Sequence, residues 1–172
     1  MKTETPITIG VTGHRKLPKD KILTVSQEVT DFFIKKINLH AKSNITVLSS
    51  LAEGVDMLCA KLAIDMGLRL IVPLPINKLE YLKDFSEETT ADFNFISSKA
   101  DDIFIVTPEE IIPDSLSRGF YYRQAGIYVA KHCDVLLAVW DGVENDTKDG
   151  AGTWETVKIA RKFEKEIYHL TI

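Results

Sequence analysis

Residues 7–15 read Ile-Thr-Ile-Gly-Val-Thr-Gly-His-Arg, a short apolar strand that runs directly into a turn of small residues. The same order of apolar strand, small-residue turn and helical period returns at residues 45–56 and again at residues 135–155. In a doubly wound sheet, such turns present backbone N–H groups and a helix N-terminus to a phosphate. Three of them in one chain suggest a nucleotide-like ligand.

Six apolar runs without alternation are typical of parallel strands that are covered on both faces. They lie at 7–12, 45–48, 68–72, 103–106, 135–139 and 167–172. Helical periods separate them, so the pattern predicts an α/β fold, a doubly wound Rossmann-like parallel sheet with helices on both faces. The default strand order is 3-2-1-4-5-6, with the ligand at the carboxyl ends of the strands, where the order reverses. Residues 73–101 predict one or two helices, either covering that site or forming an ordinary crossover.

Length and composition favour one ordinary globular domain spanning residues 1–172. The net charge of −4 offers no basic surface, so we expect nucleic acid to be an unlikely partner. The chain has neither an apolar run long enough to span a bilayer nor a signal-peptide pattern, so we expect a cytoplasmic protein without membrane contact. Cys59 and Cys133 fall on apolar helix stripes and predict buried, reduced thiols.

The first turn places His14 and Arg15 at the carboxyl end of strand one. A glycine at Gly13 permits a positive φ and a close approach of ligand to backbone, and the Arg15 guanidinium can pair with a phosphate. The alternative is a tight turn with a solvated arginine. The GxGxxG spacing of a dinucleotide fingerprint is absent.

The second turn follows strand two and contains Ser49, Gly54 and Asp56 as candidate ligand-binding residues. Gly54 allows close packing of strand and helix. Asp56 has two open interpretations, a helix cap or an acceptor for a ribose hydroxyl.

The third turn offers Gly150, Gly152 and Thr153 before a helix, which together predict an anion-binding nest. Glu155 lies in the first turn of that helix, either as a functional carboxylate or only as a complement to the helix dipole.

Three further candidates lie at the start of the helix that leads to strand five. Arg118, Tyr122 and Arg123 can hold a phosphate and stack on a base, although one arginine is expected to be only a surface residue. The acidic segment 141–149 lacks EF-hand spacing, so we expect neither a metal ion nor a cofactor.

Two of the turns resemble a known superfamily. Residues 49–56, Ser-Ser-Leu-Ala-Glu-Gly-Val-Asp, are similar to the corresponding turn of the DprA/Smf proteins and the YpsA-like group. Residues 150–155, Gly-Ala-Gly-Thr-Trp-Glu, resemble the glycine-rich motif of the Lonely Guy (LOG) proteins. Together these groups form the SLOG superfamily of Rossmann-like nucleotide binders.

The LOG resemblance implies cleavage of a nucleoside 5′-monophosphate into free base and ribose 5-phosphate. It assigns Glu155 and Arg123 as the catalytic residues, and it implies a homodimer. The chain departs from the motif: Thr147-Lys148-Asp149-Gly150 replaces the Pro-Gly-Gly opening, and Thr156 stands where the family has a glutamate.

Three hypotheses follow. The first is a binding protein for a nucleotide or nucleotide-sugar, such as a nucleoside monophosphate or an ADP-ribose-like ligand. The second is a LOG-like phosphoribohydrolase, and the third is a structural or interaction protein with vestigial turns.

Overall fold

The computed structural model describes residues 1–112 and 114–172. In the described residues, strands and helices alternate along the chain. The strands are β1 (Ile7–Gly13), β2 (Ile45–Leu48), β3 (Arg69–Leu74), β4 (Asp102–Ile105), β5 (Val135–Trp140) and β6 (Glu166–Thr171). The helices are α1 (Ile22–Leu39), α2 (Val55–Asp65), α3 (Lys78–Tyr81), α4 (Glu87–Lys99), α5 (Arg118–His132) and α6 (Thr153–Lys162), with short 3-10 turns at Lys42–Asn44 and Leu82–Asp84.

The strands form one parallel sheet in the order β4-β3-β2-β1-β5-β6. The predicted fold class, a Rossmann-like α/β sheet with helices on both faces, is confirmed. The order differs from 3-2-1-4-5-6 only in the place of β4, which pairs with β3 through Ile71 and Asp102 and forms the edge. The order therefore reverses between β1 and β5.

The helices explain why β4 lies at the edge. Parallel crossovers are right-handed, so helices on one face carry the chain in one direction along the sheet. The α2 helix packs against both α1 and α4, whereas α5 packs against α6. Three crossovers on the first face move the chain from β1 to β4, and α5 on the opposite face brings it back past β1.

Each face of the sheet has its own hydrophobic core. The face of α1, α2 and α4 buries large side chains such as Phe32, Phe33 and Phe93, and the face of α5 and α6 buries Trp140 and Val157. All residues of β5 are buried, as expected for a strand covered on both sides. None of the helices that the structure describes combines the length and the apolar character needed to cross a membrane.

The two cysteines are buried and unbridged, as predicted. Burial raises the pKa of the Cys133 thiol to about 11 and raises that of Cys59 as well. Both behave as small core hydrophobes.

Candidate functional site

A cleft of about 410 Å³ opens at the carboxyl ends of β1, β2 and β3. Its other walls are α5 and the start of α6, so it lies at the point where the strand order reverses. This is the position at which open α/β sheets bind ligands. The lining includes Thr12, Gly13, His14, Arg15, Ser50, Ala52, Asp56, Pro75, Tyr81, Tyr122, Gly126, Gly152, Thr153 and Thr156.

Gly13 is the last residue of β1, and its φ lies outside the left-handed region, so the turn does not use the positive φ that a glycine permits. The glycine is required for space instead. A Cβ at Gly13 would lie 2.5 Å from Val55 Cγ1 and 2.6 Å from the Val139 carbonyl oxygen. The absence of a side chain lets α2 and β5 approach the strand end closely.

The two residues after Gly13 point in different directions. Arg15 is exposed, and its guanidinium lies 4.9 Å from the centre of the Tyr122 ring, a cation–π distance. His14 Nε2 lies 3.3 Å from Asp141 Oδ2 and accepts the Asp141 N–H. The first turn therefore brings one cation and one histidine to the cleft.

The second turn is held by hydrogen bonds within itself. The buried Ser49 hydroxyl donates to the Asp56 carbonyl at 2.9 Å and accepts the Leu51 N–H at 3.3 Å. Leu51 has a φ of +55°, a conformation that costs a leucine free energy. Gly54 has a φ of +84°, and a Cβ there would collide with the His14 and Arg15 carbonyls. Ser49 and Gly54 therefore shape the turn and do not line the cleft.

Asp56 brings a carboxyl group to the cleft wall. It lies in the first turn of α2 and is 8% exposed. Burial raises its pKa to about 7, although the Ala52 N–H and the charge of Arg15 act in the opposite direction. Gly54 holds the N-cap position of α2, so the interpretation of Asp56 as the helix cap is wrong.

A tyrosine pair and an acidic residue join α3 to α5. Tyr81 is buried, which raises its pKa, and it packs against Tyr122 with ring centres 5.7 Å apart. The Tyr122 hydroxyl donates to Asp84. Arg118 donates to the same carboxylate at 3.0 and 3.2 Å, so its guanidinium is engaged outside the cleft.

The start of α6 forms the opposite wall. Gly152 is its N-cap residue with a φ of +123°, and no side chain of the described residues caps the helix. The first-turn amides of a helix have no intrahelical acceptor. Thr153 and Gly152 line the cleft, while Gly150, with a φ of +63°, lies behind them and accepts a hydrogen bond from Arg123 at 3.1 Å.

Glu155 and Arg123 lie next to each other but away from the cleft lining. The Glu155 carboxylate is buried, 2.9 Å from Lys158 Nζ and 3.7 Å from Arg123 Nη1. Arg123 also donates to Glu110 at 3.0–3.3 Å. Glu155 faces a smaller pocket of about 230 Å³ behind the Gly150–Thr153 turn, which shares His14 and Thr153 with the main cleft.

The structure thus brings part of the predicted set together. The candidates that line the cleft are Gly13, His14, Arg15, Asp56, Tyr122, Gly152 and Thr153. Those outside its lining are Ser49, Gly54, Arg118, Arg123, Gly150 and Glu155. Sequence reasoning missed Tyr81, which lies in an irregular stretch without periodicity, and Thr156, whose hydroxyl donates to the Gly152 carbonyl.

Comparison with known proteins gives matches to solved structures only: no protein-family model and no curated protein sequence matches the chain. DNA processing protein A (DprA) from Streptococcus pneumoniae superposes with a TM-score of 0.61 at 16% identity, covering 96% of this chain and 50% of that one. The chain has the DprA fold. DprA from Helicobacter pylori superposes equally well, with a TM-score of 0.61 at 15% identity, covering 98% of this chain and 66% of that one.

The resemblance to the DprA/Smf proteins is therefore confirmed as a resemblance of fold. The chain spans half the length of one DprA structure and about two thirds of the other. In both comparisons, the superposition covers nearly all of this chain.

The expectation that nucleic acid is an unlikely partner is wrong. The DprA protein from H. pylori, which shares this fold, binds single-stranded DNA. Net charge summed over a chain does not report the charge at one cleft, so a value of −4 excludes nothing for this fold. The homodimer remains a prediction.

Proposed function

We propose that this protein binds a nucleotide or nucleotide-sugar in the cleft at the carboxyl ends of β1, β2 and β3. One observation carries the proposal: Arg15 and the uncapped N-terminus of α6 line the same cleft. A guanidinium and a set of helix amides are the two groups that proteins most often use to bind phosphate. The buried thiols of Cys59 and Cys133 support a cytoplasmic location as part of this proposal.

Aromatic residues beside the cation support a ligand with a base or sugar. The Tyr122 ring lies against Arg15, and the Tyr81 ring lies against Tyr122. A phosphate on Arg15 would leave the attached ring system close to these aromatic faces. The cleft volume of about 410 Å³ is within the range of small-molecule sites.

A second candidate ligand is single-stranded nucleic acid. The H. pylori DprA structure favours it, because that protein shares the fold over 98% of this chain. A strand end carries the same phosphate and base chemistry as a mononucleotide. Competition between the two ligands would then be expected at this cleft.

The geometry gives a phosphoribohydrolase less support. The Glu155 carboxylate is paired with Lys158 and Arg123 and faces the smaller pocket. Hydrolysis would require this carboxylate to reach the ribosyl carbon of a ligand whose phosphate lies on the other side of Thr153.

The test compares two variants that remove the same charge from adjacent positions. AMP, ADP-ribose and a short oligodeoxythymidine are titrated by calorimetry into the wild type, Arg15→Gln and Lys16→Gln. We expect Arg15→Gln to weaken binding about tenfold to a hundredfold, because a charge-assisted hydrogen bond is lost. Lys16 lies outside the cleft lining, so its variant should bind within about twofold of wild type.

The outcomes separate the hypotheses. Equal binding by Arg15→Gln and wild type would mean that the ligand binds outside this cleft. If none of the ligands binds, the hypothesis of a structural or interaction protein would be favoured. Displacement of the oligonucleotide by AMP would place both at one site. Free adenine in the AMP sample, absent with Glu155→Gln, would support the hydrolase instead.

A further inference from the structure

Asp56 and Arg15 present opposite charges to one cleft. The Asp56 carboxyl is buried in the wall, while Arg15 is exposed at the opening. Arg15 is the cation whose charge acts on the Asp56 carboxylate. The other titratable and charged groups around Asp56 come from four elements: His14 after β1, Cys59 in the next turn of α2, Tyr81 at the end of α3 and Tyr122 in α5.

An ionised Asp56 and a bound phosphate would compete for the same guanidinium. Both are anions, both would lie in a partly dehydrated space, and like charges there repel strongly. A protonated Asp56 removes that repulsion and leaves the charge of Arg15 to the ligand. Tyr81, Tyr122 and Cys59 carry hydroxyl or thiol groups, which never bear a positive charge, so none of them offsets the repulsion between the two anions.

From this geometry we propose that the cleft binds its phosphate ligand together with a proton, which is carried by Asp56. The inference deepens the proposed function and rests on it. The proton comes from solvent and adds to a carboxylate oxygen, and it leaves when the phosphate dissociates.

Linkage gives the coupling a measurable size. Burial raises the pKa of Asp56 to about 7, and a phosphate beside it would raise that pKa further. Between the pKa of the free protein and that of the complex, the affinity falls up to about tenfold for each unit by which the pH rises. A phosphate monoester has its own second pKa near 6, so its charge is nearly constant above pH 7.

The experiment measures AMP binding at several pH values between 7.0 and 8.5. The wild-type dissociation constant should rise about fivefold or more over this range. Asp56→Asn, which keeps the shape and loses the charge, should vary within about twofold and bind more tightly than wild type at pH 8.5. Calorimetry in two buffers of different ionisation enthalpy should detect proton uptake by the wild type.

Two controls assign the proton. Histidine can also titrate in the neutral range, so His14→Gln must keep the pH dependence of wild type. Adenosine, which lacks the phosphate, must show none. If Asp56→Asn does not fold, the two-buffer proton count on the wild type decides the question.

Several results would overturn the proposal. The proposal fails if AMP binding by Asp56→Asn keeps the pH dependence of wild type, or if His14→Gln loses that dependence. It also fails if wild type takes up no proton when it binds AMP. Weaker binding of Asp56→Asn at every pH would instead make the carboxylate an acceptor for a ligand hydroxyl. Wild-type binding without pH dependence would refute the coupling alone, whereas no binding at any pH would refute the proposed function too.

Discussion

Two interactions favour the ionised form of the Asp56 carboxyl in the cleft wall, an N–H from Ala52 and the nearby charge of Arg15. These two interactions are not enough to offset the loss of water around the carboxylate. The folded protein therefore holds a proton on this group more tightly than the unfolded chain does. Stability and proton binding are thus linked at this residue.

The sign of that link gives a prediction for Asp56→Asn. The pKa of Asp56 is about 7 in the folded protein, against 3.8 for an aspartate in water, so its contribution to the free energy of unfolding falls as pH rises from about 4 to about 7. At pH 8 the variant should be more stable than wild type by about 2–4 kcal/mol. Near pH 4 the two should be alike. Urea unfolding at both pH values measures the difference, and a difference independent of pH would contradict the assignment.

Gly13 gives a second prediction at the residue scale. Gly13→Ala would place a Cβ within 2.6 Å of the Val139 carbonyl oxygen and of Val55. Overpacking of this kind lowers the free energy of unfolding by about 1–3 kcal/mol, measured by urea unfolding. The double variant Gly13→Ala with Val55→Ala should show less than the sum of the single losses, because Val55 Cγ1 is removed. Strict additivity would mean that the two positions do not touch.

Among the elements, the short α3 helix and the 3-10 turn after it are attached to α5 by several contacts, of which the Asp84 carboxylate makes the most hydrogen bonds. Asp84 accepts hydrogen bonds from Tyr122 and from Arg118, and Arg118 also donates to the Glu80 carbonyl at 2.6 Å. These bonds fix the Tyr122 ring against Arg15. The cleft wall therefore depends on a contact between segments that are far apart in the chain.

Asp84→Ala should release this attachment. We expect the free energy of unfolding to fall by about 1–3 kcal/mol, because the hydroxyl and guanidinium lose a charged acceptor. AMP binding should weaken as well, since Tyr122 is no longer fixed. Lys83→Ala is the matched control: it removes an exposed ion pair with Glu80, which solvent screens, so the free energy of unfolding should stay close to that of wild type. Equal effects of the two changes would show that the attachment does not matter.

The strands were predictable from the sequence because each coincides with a short run rich in Ile, Val and Leu. Every predicted run begins close to the start of an observed strand for a local reason, the turn residues that flank it. The place of β4 was not predictable in this way. It depends on which face of the sheet α4 occupies. That face is set by the packing of α4 on α2, and β3 and α3 lie between these two helices in the chain.

On the scale of the whole molecule, the three small-residue turns do meet at one edge, as the alternation of strands and helices predicted. The cleft draws its cation from the first turn, its carboxyl from the second and its helix amides from the third. What the sequence could not supply was the direction of each side chain. Glu155 and Arg118 lie close to the correct edge, but partners such as Lys158 and Asp84 hold them away from the cleft.

The position of β1 has a consequence for the integrity of the chain. β1 pairs with β2 on one side and with β5 on the other. The pairing of β1 with β5 therefore connects two parts of the sheet: β1–β4 with their helices, and β5–β6 with α5 and α6. The cleft is lined by residues of both parts, so a bound ligand would contact both of them. If a protease cut the connection between β4 and α5, the two fragments would stay associated through the pairing of β1 with β5. A bound nucleotide would slow their separation.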